Sequence, residues 1–143
     1  MNVEKLKALY TKYNLTKEDV FKHQHYIIIT RSGIDKIQGV AGVKIKYDVI
    51  KCDTNFAVVK ASTEHLETFG SALKGSTFKD GNTNSWYVME MAEKRAMSRI
   101  VLKTCGFYEL GVFGEDESED FKKPSKWNNL ELLIKTFDLY EQN

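Results

Sequence analysis

The clearest helical pattern in the chain covers residues 85–106, where apolar side chains recur at intervals of three and four residues. The most regular face carries Met89, Ala92, Ala96 and Ile100. Ser85 can act as an N-cap, and Gly106 suits the left-handed position that follows a last helical turn. From its length we predict one long helix of about five to six turns. The other sides of this stretch are also apolar. Such a helix is packed on several sides, and we expect a neighbouring subunit to supply part of that packing.

Alternation of apolar and polar residues predicts an antiparallel meander before this helix. Residues 43–51 alternate with the period of a half-exposed strand, and residues 53–55 have the composition of a turn. Residues 56–62 then form the return strand of a hairpin. We predict a third strand over residues 66–72 and a flexible loop over the Gly-, Asn- and Ser-rich residues 74–84.

The same criteria assign the remaining elements and the fold class. They are short helices over residues 3–13, 17–22 and 32–37, a buried strand over 26–30, an extended aromatic segment over 107–114, and a C-terminal helix over about 128–141. We therefore predict one α+β domain over residues 1–143 with its core in about 26–114. In it, an antiparallel β-meander packs against one long central helix, flanked by short N-terminal helices and a C-terminal helix.

Composition and charge narrow the possible partners. The net charge of +1 over 143 residues means that any site for a polyanion must come from segregation of charge along the chain. Residues 115–120 hold five acids, which form either a solvated loop or a phosphate mimic that covers a basic groove. Two cysteines are too few for a disulfide framework, and no stretch resembles a signal peptide or a membrane span. We expect a soluble protein of the cytoplasm.

The first candidate site is a row of cations on the predicted central helix. Arg95, Arg99 and Lys103 follow one another at steps of four residues, with Lys94 beside them. The row is either a solvated edge paired with nearby glutamates, or a series of phosphate contacts that release counterions on binding.

The second candidate site is the charged side of the hairpin. Its lysines are Lys44, Lys46, Lys51 and Lys60. Lysines on strands often only keep an edge soluble. Together with Tyr47 and Phe56, however, they match the combination of backbone cations and stacking aromatics that binds single-stranded nucleic acid.

Metal and catalytic sites find less support. His23 and His25 are spaced to share one side of an extended segment, but no third ligand lies nearby in the sequence. The scattered carboxylates Asp48, Asp53, Glu64 and Glu67, with Lys60, leave a metal-dependent nuclease open as an alternative. Because no nucleophile, phosphate-loop or zinc motif is present, we predict no catalytic residues, no metal and no cofactor.

Several short motifs resemble the phage single-strand annealing proteins of the Erf and Sak type, which are relatives of the Rad-fifty-two annealing protein. The sequence AEKRA at 92–96, then Arg99, then LKTCGF at 102–107 resembles the helix of that superfamily. FYELGVFGED at 107–116 resembles the segment that follows this helix, and LETFG at 66–70 resembles the last strand before the loop.

The resemblance implies an annealing protein that acts without ATP and is not an enzyme. Family members assemble as rings or helical filaments and bind single-stranded DNA in a positive groove between the hairpin and the central helix. An exonuclease or a single-strand-binding protein is a possible partner, and the host cytoplasm is the expected location. Arg99 and Lys103 match basic positions of the family's helix, and Arg95 lies one turn earlier. The complete predicted DNA-binding set is Lys44, Lys46, Lys60, Lys94, Arg95, Arg99 and Lys103.

Three other functions remain open from the sequence. The chain could be a monomeric or dimeric single-strand-binding module without annealing activity, or the metal-dependent nuclease considered above. It could also be an interaction protein that binds a partner through its acidic run and C-terminal helix.

Overall fold

The structure is a computed structural model, and it describes residues 3–23, 25–77 and 80–117. In these residues, three α-helices and two small three-stranded sheets form a mixed α+β fold. The elements are α1 (Val3–Lys12), β1 (Val20–His23), β2 (Tyr26–Ile29), α2 (Arg31–Ala41), β3 (Lys46–Cys52), β4 (Phe56–Ser62), β5 (Glu67–Leu73), α3 (Val88–Thr104) and β6 (Val112–Gly114). The predicted C-terminal helix lies outside the described residues.

The larger sheet is the predicted antiparallel meander, with strand order β3-β4-β5. One side of β4 and β5 packs against α3 and carries small buried residues: Ala57, Val59, Ala61, Thr68, Gly70 and Ala72. At Gly70 a Cβ would overlap the carbonyl oxygen of Ala92 and the amide nitrogen of Ala96. The missing side chain therefore lets the helix approach the strand closely. The Thr68 hydroxyl donates to the carbonyl of Ala96 at 2.8 Å, which fixes the helix along β5.

The smaller sheet has strand order β1-β2-β6 and brings two distant parts of the chain together. β1 and β2 are antiparallel, whereas β6 pairs with β2 in parallel. Parallel neighbours need a long connection, and here the connection from β2 to β6 contains α2, the whole meander and α3. Tyr13 packs on Phe107 with ring centroids 5.7 Å apart, so the segment after α1 contacts the segment after α3.

One predicted helix is a strand in the structure. The prediction of a helix over residues 17–22 is wrong, because only Lys17–Asp19 forms a 3-10 turn and β1 begins at Val20. Thr16 is the N-cap of this turn, and it forms a reciprocal capping box with Asp19. Asp19 also holds Lys36 at 2.7 Å. Burial disfavours the Asp19 carboxylate, but the hydrogen bonds from Lys36 and Thr16 outweigh it and lower the pKa of Asp19.

The helix predicted over residues 32–37 corresponds to α2, which is longer at both ends. Thr30 is its N-cap, and the Thr30 hydroxyl accepts from the amide of Gly33. The helix passes through Gly39 and ends at Gly42, whose left-handed backbone (φ 67°) terminates it.

The central helix α3 has 17 residues and is shorter than the predicted stretch. Ser85 does not cap it directly; its hydroxyl accepts from the amide of Tyr87, the residue before the first helical turn. Gly106 has a positive φ of 85° just past the end of the helix, as predicted. The buried sides of α3 pack against β4, β5, β6 and α2 of the same subunit.

Candidate nucleic-acid interface

Arg95, the first of the predicted helix cations, is a buried structural residue. Its side chain lies over the free edge of β5, where Nη1 donates to the carbonyl of Ser71 at 2.7 Å. Nη2 donates to the carbonyl of Asn82 at 2.8 Å, and Nε donates to the carbonyl of Asp116 at 3.0 Å. With the residue only 4% exposed, its guanidinium is committed to the backbone of three segments. We therefore remove Arg95 from the predicted DNA-binding set.

Arg99 lies one turn later and is partly exposed. Its Nη1 donates to the carbonyl of Phe69 at 2.6 Å, and its Nε lies 3.5 Å from a carboxylate oxygen of Glu117. The same oxygen accepts from the hydroxyl of Tyr108 at 2.9 Å. Burial raises the pKa of Glu117 despite these contacts, and burial next to Glu117 raises the pKa of Tyr108 to about 12.

These two arginines belong to a set of contacts that cover the free edge of β5. Arg99 and Arg95 donate hydrogen bonds to the backbone carbonyls of Phe69 and Ser71, respectively. The side-chain oxygen of Asn82 accepts from the amide of Leu73 at 2.7 Å. A free strand edge is otherwise a template for pairing with another chain. The helix cations therefore close one edge of the sheet.

The first three acids of the run at 115–120 pack against basic and polar residues of the same subunit. Glu115 accepts from the amide of Arg31 at 3.0 Å, and Asp116 pairs with the Arg31 guanidinium at 3.3 Å. Asp116 also accepts from the hydroxyl of Ser98 at 3.1 Å. The remaining acids of the run lie outside the described residues.

The last two helix cations are placed differently from the arginines. Lys103 is exposed, with its Nζ 5.5 Å from the centroid of the Tyr108 ring. Lys94 is half-buried beside Arg95.

The opposite side of the meander is open and carries the hairpin lysines. We call it the open face; its side chains are Lys46, Asp48, Lys51, Phe56, Val58, Lys60, Ser62, Glu67, Phe69, Ser71 and Leu73. The assignment follows from the pairing register, because these residues alternate with the buried ones that contact α3. Phe69 is the most prominent apolar group on this face and is 49% exposed.

Weak surface ion pairs partly compensate the lysines of the open face. The Nζ of Lys60 lies 3.8 Å from a carboxylate oxygen of Glu67, and the Nζ of Lys51 lies 3.5 Å from a carboxylate oxygen of Asp53. Lys51 also sits over the ring of Phe56 at 5.9 Å from its centroid. Exposed pairs of this kind contribute about 1 kcal/mol or less, so a phosphate can replace the carboxylate at little cost.

The two predicted sets of cations do not meet in one groove. Lys46 and Lys60 point away from α3, because they pair in register with Ser62 and Phe69 on the open face. The predicted trench between hairpin and helix is therefore corrected: the sheet itself separates the two sets. Lys44 precedes β3 and lines a shallow groove with Lys46 and residues 62–64 at the end of the open face.

Sequence reasoning missed three exposed aromatic residues. Phe69 lies on the open face, and Trp86 and Tyr87 lie just before α3. For Phe69 the signal was available, since residues 67–73 alternate between large or charged residues and the small residues that face the helix. Trp86 and Tyr87 fall in the predicted helical stretch, and the helical pattern assigned no role to either ring.

The histidines and carboxylates do not form a metal site in the described part of the chain. His23 is buried in β1, whereas His25 is exposed. Within residues 3–23, 25–77 and 80–117, no group of three or more His, Cys, Asp or Glu side chains is placed to hold a metal ion. Over the same residues, no helix has the length and apolar character needed to cross a bilayer.

Comparison with known proteins gives no relative. No family model, no curated protein and no solved structure matches the chain.

Proposed function

We propose that this protein binds single-stranded DNA on the open face of its meander and anneals complementary strands without ATP. The observation that carries single-strand binding is the combination of the exposed Lys46 and Lys51 and the half-buried Lys60 with Phe56 and Phe69 on the side of the sheet that faces away from α3. The annealing step rests on the resemblance of the sequence motifs to the annealing family. Single-strand-binding surfaces combine cations that follow the backbone with aromatic rings on which bases stack.

The lysines supply the phosphate contacts. Lys46 and Lys60 lie on neighbouring strands of the open face, and Lys51 lies further along β3. A lysine is a flexible point charge, so it can follow a backbone of variable geometry and exchange a weak surface partner for a phosphate. Binding should therefore weaken steeply as salt concentration rises.

In the part of the chain that the structure describes, no strand pairs with the outer edge of β3, and this edge supports self-assembly. Val49 and Ile50 on this strand are each 56% exposed. Because β5 is covered at its own free edge, further strands could join this sheet only at β3. Pairing of two β3 edges gives a two-fold dimer, so the proposed ring or filament needs a second contact elsewhere on the subunit.

A single-strand-binding module without annealing activity is the second candidate. The exposed ring of Phe69 favours it, because a base stacked on protein is not free to pair with a complementary strand. The rate at which two complementary oligonucleotides renature, monitored by fluorescence, distinguishes the two functions. Faster renaturation with protein supports annealing, and unchanged or slower renaturation with tight binding supports the module.

The binding surface is tested with a pair of double variants that remove the same charge. Lys46→Ala with Lys60→Ala removes two lysines from the open face, and Lys7→Ala with Lys12→Ala removes two from α1. We expect the first to lower the affinity for a dT oligonucleotide about tenfold. The slope of the logarithm of the binding constant against the logarithm of the salt concentration should become shallower by about 1.4, since each phosphate contact to a single strand contributes about 0.7.

The α1 double variant should bind like the unaltered protein in the same anisotropy titrations. Equal losses in the two double variants would mean that only net charge matters, and would contradict a site on the open face. Sedimentation velocity with and without DNA tests the assembly, for which we expect species larger than the 16.5 kDa monomer.

A further inference from the structure

An exposed pair of aromatic residues lies where the meander meets α3. Trp86 is 66% exposed and Tyr87 is 70% exposed, although both precede a well-buried helix. Large aromatic side chains usually bury most of their surface, so two adjacent exposed rings indicate a surface for contact with a partner.

A lysine is already placed on one of these rings. The Nζ of Lys74 lies 4.0 Å from the centroid of Trp86, which is a close cation–π contact. Lys74 directly follows Leu73, the last residue of β5 on the open face. The pair therefore lies at the end of β5, next to the last residue of the open face.

The backbone on both sides of this contact is held in place. The amide of Lys74 donates to the carbonyl of Asn55 at 2.8 Å, which ties it to the β3–β4 turn. The amide of Ser85 donates to the hydroxyl of Thr83 at 3.1 Å, and the Ser85 hydroxyl accepts from Tyr87. The rings are thus presented from an ordered backbone, which lowers the entropy cost of stacking a ligand on them.

We infer that Trp86, Tyr87 and Lys74 form a stacking site for an unpaired nucleobase, at which Lys74 contacts the adjoining phosphate. The inference rests on the proposed function and adds a second contact region to it. The chemistry fits a nucleic acid strand because an aromatic face, a cation and nearby polar groups occur together. Ser76, Thr77 and Asn84 supply hydroxyl and amide groups to a cavity of about 400 Å³, which is lined by residues of the segment between Lys74 and Trp86.

The chain offers a direct optical test. It contains two tryptophans, so Trp127→Phe leaves Trp86 as the single indole. We titrate this variant with unlabelled dT oligonucleotide and follow tryptophan emission, while the anisotropy of a labelled oligonucleotide reports total binding. Stacking of a base on Trp86 should quench its emission in parallel with binding.

A matched pair of substitutions and a modified strand identify the base contact. Trp86→Ala should weaken binding by about 5- to 140-fold, the range expected for the loss of one stacked base. Trp86→Phe, which keeps a ring, should retain most of the affinity. With an abasic oligonucleotide of the same length, Trp86→Ala should cause no further loss.

The possible failures are distinct. Saturable binding without quenching of Trp86, or an equal loss for normal and abasic strands in Trp86→Ala, would overturn the stacking site and leave the open face as the DNA site. Absence of saturable binding to any strand would overturn the proposed function and the stacking site together. Lys74→Gln should lower the salt slope by about 0.7 and leave the quenching in place; an unchanged slope would remove Lys74 from the site.

Discussion

The two sets of basic residues in this protein look alike in the sequence and differ in the structure. Arg95 and Arg99 on α3 donate to backbone carbonyls at the covered edge of β5. Lys46 and Lys60 on the open face meet only solvent and surface carboxylates in the described contacts. The planar guanidinium of arginine suits several fixed acceptors at once, whereas lysine keeps a single mobile charge. The comparison teaches that Arg95 and Arg99 hold the fold, whereas the proposed DNA contacts fall on the lysines of the open face.

The largest effect that separates the two sets is expected for Arg95. Arg95→Ala leaves three buried or partly buried carbonyls without their donor, and we expect it to lower the free energy of unfolding by roughly 3 kcal/mol or more. Lys60→Ala on the open face should change it by less than about 0.5 kcal/mol. Urea denaturation followed by circular dichroism measures both. Similar stability losses in the two variants would break the distinction between structural and ligand-binding cations.

The next largest effect is expected for Phe69 on DNA binding. Phe69→Ala should weaken binding of single-stranded DNA by about 1–3 kcal/mol, because it removes a stacking ring from the open face. Tyr47→Ala is the matched control, since Tyr47 is an exposed aromatic residue on the helix side of the same sheet. Anisotropy titrations should show a loss for Phe69→Ala alone. A larger loss for Tyr47→Ala would move the binding surface to the other side of the sheet.

The smallest effect concerns the partner of Arg99. Burial raises the pKa of Glu117 above its ordinary value of 4.5, so the folded state holds this proton more tightly than the unfolded state does. The stability that Glu117 contributes is therefore fully present below pH 4.5 and declines as the pH rises through the raised pKa. Glu117→Gln lacks this titration. Relative to Glu117→Gln, the unaltered protein should lose stability in urea denaturation as the pH rises above 4.5, and a gain would contradict the assigned direction.

The meander could be predicted because its pattern is local. Residues 56–62 were assigned as a strand with the bounds that the structure has, since small apolar residues alternate there after a clear turn. β1 was missed because Thr16 and Asp19 form a capping box, which also starts long helices. Here Val20 continues as a strand, because it pairs with Ile29. That pairing partner lies on another segment, so no local pattern shows it.

The candidate site could be predicted only in part for the same reason. The side of the sheet on which Lys46 and Lys60 lie follows from strand alternation once the small residues facing α3 are known. The role of Arg95 depends on carbonyls of Ser71, Asn82 and Asp116, which lie 13 to 24 residues away in the chain. A carbonyl is present at every residue, so the sequence contains no mark of which ones an arginine will bond.

Photocrosslinking tests the assignment of the DNA surface most directly. An oligonucleotide that carries 5-bromodeoxyuridine is bound and irradiated, and the modified peptides are identified by mass spectrometry. We predict adducts in β4 and β5 at Phe56 and Phe69, and their loss at high salt. Adducts confined to α3, with none on the open face, would contradict the account.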